Sequence, residues 1–167
     1  GRHVLLVNFS QAAAEAVRSF DDLAGLKARE RGLVIAPHPF FPIGTALRGL
    51  AEAHASIFDA VEVNAMFTRH VDFNGRARAF AEAHRLPLVG NGDIHRLDQL
   101  GTTYSLVDAE RDAADICAAV IAGRLRVEAR PLSMTKAVRI MTDLVAASIL
   151  PRRSSRRSSD THALSES

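Results

Sequence analysis

Apolar and polar positions along the chain switch between a short and a long period, and the switches set the order of elements. Near the start "HVLLVNF" is branched, apolar and aromatic, the composition of a strand. "SQAAAEAVRSFDDLAGLKARERG" then has helical spacing up to Gly32. The unbroken apolar run "LVIA" predicts a strand buried on both faces, stopped by "PHPFFP". Next come a short helix in "IGTALRGLAEAH", a strand in "FDAVEVNA", a helix in "NGRARAFAEAHRL" and a strand in "PLVGNGDIH". "TYSLVDA" adds a strand, "ERDAADICAAVIAGR" a helix closed by Gly123, "LRVEAR" a last strand, and a helix from about Ser133 to Leu150 ends the body. This alternation predicts an α/β domain with parallel strands, either an open doubly wound sheet or part of a barrel. Both architectures place functional residues at the carboxyl ends of strands.

Length and composition narrow the class. A chain of 167 residues, 47% hydrophobic and 24% charged, is one globular domain that needs no covalent staple. The single cysteine, Cys117, excludes a disulfide framework and a cysteine-based zinc site, and places the chain in a reducing, cytoplasmic setting. The net charge of +2 belongs to the end of the chain, where "PRRSSRRSSDTHALSES" sets four arginines against Asp160 and Glu166. Residues 1–150 are therefore neutral and offer no folded basic face for specific nucleic-acid binding. Residues 151–167 are polar and aperiodic, a tail expected to be disordered. Truncation at Leu150 should leave the thermal midpoint nearly unchanged. No apolar run reaches the length of a membrane span. The chain opens on "GRHVLLV" without a methionine, which reads as a fragment or a processed product.

Candidate chemistry gathers at predicted strand ends. His38 follows the apolar run and is bracketed by Pro37 and Pro39, so its imidazole projects from a stiff corner, as a ligand or as a histidine packed in a proline turn. Asp93 and His95, in "GNGDIH", lie on one side of an extended segment, with Gly90 and Gly92 relieving crowding beside them. Carboxylate plus imidazole suits a divalent ion such as zinc, manganese or iron, while an Asx turn or helix cap by Asp93 is the plainer alternative. Glu62 and Asn64 share one face of a strand that either looks at solvent or lines a site. His54 and His84 close helices at "AEAH", where histidine complements the helix dipole. His3 precedes its strand, so the strand-end rule does not recommend it.

In order and spacing, "LVIAPHPFFP", "AVEVNA", "LVGNGDIHRLDQLGTTYSLVDAE" and a helix ending "AGR" resemble the second half of the PHP (polymerase and histidinol phosphatase) domain, over most of residues 1–130. The resemblance implies a partial (β/α)7-type barrel lacking its amino-terminal strands. It also implies a two- or three-metal site that hydrolyses phosphate esters of small substrates. Carried over by motif, His38, Asp93 and His95 become metal ligands, His3 a fourth, and Glu62 or Asn64 orients a water or ligand behind the metal. The family's opening H-x-H is absent from this sequence. The sequence therefore predicts weak metal binding and poor hydrolysis for the chain as given, with full activity in an upstream-extended one; His54, His70 and Asp72 are the reserve candidates. A non-catalytic PHP-like module that binds a partner or one ion, and a barrel metallohydrolase acting on amides or esters, are the alternative readings.

Overall fold

The computed structural model describes residues 2–94 and 97–149. Its elements are β1 (Leu5–Val7), α1 (Gln11–Ala16), α2 (Phe20–Arg29), β2 (Leu33–Ala36), α3 (Gly49–Ala53), β3 (Ala60–Glu62), α4 (Gly75–Ala83), β4 (Leu88–Val89), β5 (Thr103–Val107), α5 (Ala113–Ile121), β6 (Leu125–Ala129) and α6 (Met134–Ile149). Four strands form one sheet in the order β1-β2-β3-β4, and β5 pairs with β6 in a second. The tail from Pro151 lies outside the described residues.

The strand predicted to be buried on both faces is so. Every residue of β2 is buried. Val34 and Ala36 pack with Leu23 of α2, Ala51 of α3 and Phe80 of α4. Leu33 and Ile35 point the other way, onto Cys117 and Val120 of α5. The sheet is therefore sandwiched between helices, an arrangement that leaves the ends of its strands free to carry a site.

Two features correct the sequence reading. The first long helix is two helices, because Ser19 starts a new one: its side chain accepts from the Asp22 N–H while Asp22 accepts from the Ser19 N–H, a complete capping box. A two-helix connection returns the chain to the end of the sheet it left, so β1 runs antiparallel to β2, with Val7 opposite Leu33 and Leu5 opposite Ile35. The expectation of parallel strands holds only for β2, β3 and β4. The second pair, β5 and β6, is also antiparallel, joined through α5. Among the described residues the strands close no barrel: four belong to one open sheet and two to another. No described helix is long and apolar enough to cross a membrane.

The turn into β3 is held by a polar clamp. The Lys27 ammonium lies 2.6 Å from Asp59 Oδ1 and also donates to the Ile57 carbonyl, while Asp59 Oδ2 accepts from the Val34 N–H at 2.9 Å. Removing the carboxylate strands a strand N–H and a half-buried ammonium together. Asp59→Ala is expected to cost about 2 kcal/mol, roughly 5 °C in thermal midpoint, read by calorimetry.

Candidate functional site

The antiparallel register of β1 decides the site. It carries the residues before β1 to the end of β2 where the chain turns at Pro37, so the His3 and His38 rings meet edge to face with centroids 5.9 Å apart. Two further contacts pin the segment there. The His3 N–H donates to the Thr45 carbonyl at 3.1 Å, and the Arg2 guanidinium donates to the carbonyls of Gly44 and Ala46 at 2.7 Å each.

β3 brings Glu62 to the same place. Parallel pairing sets Val61 beside Ala36, and the Glu62 carboxylate accepts the His38 N–H through Oε2 at 2.9 Å. Burial pushes the Glu62 carboxyl up to about 7; the negative charge of Asp93 adds to the rise and the His38 N–H opposes it. From β4 the chain passes through Gly92, at φ +83, to Asp93, at φ 39. His38 has φ 31, so both motif residues sit in the left-handed region that side chains rarely adopt. Strain of this kind persists where the surroundings over-determine it, as at ligand-holding positions. His3, His38, Glu62 and Asp93 line one cavity of about 520 Å³, with Arg2 and Asn91 at its wall.

Of the residues singled out in the sequence, the structure thus brings His3, His38, Glu62 and Asp93 to one cavity, while His95 lies outside the described residues. Asn64 is buried, and its side chain accepts the Met66 N–H at 2.7 Å; Asn74 clasps its backbone on both sides, so it braces the loop after β3. His54 and His84 are the C-caps of α3 and α4. His54 stacks on Phe20 at 4.0 Å, and His84 lies 3.5 Å from Glu52. Asp72 accepts from Asn74, and the His70 N–H donates to the Thr68 hydroxyl. Arg2 and Asn91 escaped the sequence reading. Asn91 sits inside the glycine-rich motif, a signal that was present, whereas nothing local marks Arg2.

Gly90 relieves crowding, as its motif suggested. A Cβ there would meet Thr103 Cγ2 and Val127 Cγ1 at 3.0 Å, so what approaches closely is the β5–β6 pair. Its N–H also donates to the Ser105 hydroxyl at 2.9 Å. Gly90→Ala is expected to destabilise the fold by about 1–2 kcal/mol through overpacking, measured by urea denaturation, with the loop to Asp93 loosened in step.

Residues 72–125 match the family model PHP_C, described as PHP-associated. A two-domain protein from Bacteroides vulgatus, whose crystal structure contains a predicted PHP-like metal-dependent phosphoesterase, superposes with a TM-score of 0.56 at 18% identity, over 84% of this chain and 45% of that one. PsfC from Pseudomonas syringae superposes with a TM-score of 0.52, also at 18% identity, over 89% of this chain and 62% of that one. The chain thus spans roughly half the length of these structures. A comparison with curated proteins found no match. The PHP resemblance read from the motifs is shown in this stretch and in this fold.

PHP-like metal-dependent phosphoesterases imply a divalent ion, and the donor set can be tested for it. Two imidazoles and two carboxylates on one cavity are the side-chain types such ions take. The negative charge of Asp93 also raises the cost of ionising Glu62, a conflict that a cation between them would relieve. The chemistry fits. Among the described residues, however, no three His, Cys, Asp or Glu side chains stand close enough to hold an ion together.

Proposed function

We propose that the chain contributes part of a PHP-type metal site that hydrolyses phosphate esters of small molecules in the cytoplasm. The observation that carries this reading is the shared cavity of His3, His38, Glu62 and Asp93 at the carboxyl ends of β2 and β3. His3, His38 and Asp93, with His95, would each lend a ligand to a manganese, zinc or iron centre that donors outside the described residues complete, since no three described side chains converge on one ion. When bound, such an ion neutralises ester oxygens and lowers the pKa of a bound water.

The chain's own groups do the rest. Glu62, with Oε2 fixed by the His38 N–H and a carboxyl near 7, can take or release a proton at Oε1 close to neutral pH. Glu62 is 2% exposed and presents itself to the cavity that His3, His38 and Asp93 also line. The Asn64–Asn74 clamp and the crowded Gly90 hold the two loops that flank the cavity. In this reading the described sheet is one arc of a PHP barrel, and a two- or three-ion centre takes donors beyond these four.

A second reading rests on the lack of three converging ligands among the described residues: a PHP-like module that holds one ion and binds without turnover. One experiment separates the two. Bound metal is measured by mass spectrometry after manganese loading, and p-nitrophenyl phosphate hydrolysis is followed beside p-nitroacetanilide, in this chain and in an upstream-extended one. Phosphatase activity in the longer chain that is lost on chelation is the expected result. Metal uptake with no turnover of either compound in either chain would select the binding module, and amide cleavage alone would select a different hydrolase.

A further inference from the structure

A second cavity, of about 490 Å³, opens from the same three side chains, His3, His38 and Asp93, and runs away from them between apolar walls. Phe41, Ile43 and Met66 form one wall, and Met141 and Val145 of α6 the other. It continues into a groove of about 710 Å³ lined by Phe73, Met134 and Val138 together with Phe41, Met66 and Met141. Among the described residues, the polar side chains on the two cavities beyond the histidines and Asp93 are Asn64, Thr45, Thr68 and Thr142, and no described lysine, arginine or glutamate faces either.

The helix that builds this wall is fixed in place. The Leu132 N–H donates to the Phe67 carbonyl at 2.8 Å, Thr68 and Leu132 form a parallel bridge, and Ile140 is buried with Phe41, Met66 and Leu132. Met141 is nevertheless 37% exposed and Val138 55% exposed. One end of the space is thus charged and the other is an apolar slot of the size that takes a small organic molecule.

We propose that the substrate of this site is a phosphate ester of an apolar alcohol, aryl or alkyl, with the phosphoryl group at His3, His38 and Asp93 and the alcohol portion against Met66 and Met141. The inference rests on the phosphoesterase reading above and adds to it the class of leaving group. A sugar or nucleoside in the slot would bury hydroxyl and ring nitrogen groups with too few partners, which costs more than it returns. An aromatic ring or alkyl chain leaves no such debt and removes apolar surface from water.

The test uses binding, so that it does not depend on turnover. Affinities of 1-naphthylmethylphosphonate and 2-hydroxyethylphosphonate, two non-hydrolysable compounds with the same anionic head, are measured by calorimetry on manganese-loaded protein. 1-Naphthol alone is titrated into chelated protein. The naphthyl phosphonate should bind at least about tenfold more tightly than the hydroxyethyl one, the return for burying one ring. Met141→Glu should abolish that difference and 1-naphthol binding, whereas Ile121→Glu, on the exposed side of α5, should change neither; should Met141→Glu fail to fold, Ile43→Ser serves in its place. Equal affinity for the two phosphonates, or a preference that survives Met141→Glu, overturns the proposal. If 1-naphthol binds and is sensitive to Met141 while the upstream-extended chain hydrolyses no phosphate ester, the phosphoesterase reading fails and the apolar slot stands. If p-nitrophenyl phosphate is hydrolysed but the naphthyl preference is absent, the slot fails and the phosphoesterase reading stands.

Discussion

Asp93→Ala and His38→Ala should each weaken manganese binding by roughly 100-fold, the upper end of what is lost when even a supporting partner of a metal ligand is removed. Both side chains line the cavity from backbone in the left-handed region. Alanine keeps that backbone strain and removes the only group that could repay it. Phosphate-ester hydrolysis by the upstream-extended chain should fall in parallel, because an ion that is not held cannot orient water. His3→Ala should show the same direction, since its ring lies against that of His38. His54→Ala is the control. Its ring stacks on Phe20 at the end of α3, so metal affinity should be unchanged while thermal stability drops. Equal metal affinity in Asp93→Ala and the parent would remove this corner from the site altogether.

The second large effect is a pH dependence of stability in the chelated protein. Glu62 titrates near 7 in the fold against an ordinary value of 4.5. Between those two values Glu62 binds more protons in the folded state than in the unfolded one, so its contribution to stability is full below about pH 4.5 and is lost as pH rises through 7. The penalty carried above pH 7 is about 3 kcal/mol. Glu62→Gln cannot ionise, and its carbonyl still accepts from the His38 N–H. The variant should therefore be more stable than the parent at pH 8 by about 3 kcal/mol and close to it at pH 4.5, as measured by urea melts in chelator. Parallel stability profiles for the two proteins would show that Glu62 is not buried against Asp93 in solution.

Local patterning announced much of this molecule. "LVIA" could only be a strand covered on both faces, since four consecutive apolar residues leave no side for water, and all four are buried. The "AEAH" endings placed His54 and His84 at helix ends, and both cap their helices there. Gly123, at φ +72 just past α5, closes that helix as its composition indicated. Pro37 and Pro39 marked His38, and "GNGD" marked Asp93, because proline and glycine restrict or free the backbone whatever surrounds them.

What only the tertiary structure decided is which of these positions meet. His3 had no local sign of function; it lines the cavity because the break at Ser19 reverses β1 against β2, and strand direction depends on contacts between residues about thirty positions apart. Glu62 and Asn64 were indistinguishable as two polar residues on one strand face. Burial beside Asp93 made one a carboxyl that titrates near neutrality, and a partner ten residues away made the other a loop brace. The sequence marked Gly90 as a place where another group approaches closely, and only the tertiary structure shows that the group is the β5–β6 pair. The apolar slot joins Met66 to Met141, which no periodic pattern could link. Periodicity records how each short segment meets water; pairing direction, shared burial and charge proximity come from residues distant in the chain, and those set the chemistry of this site.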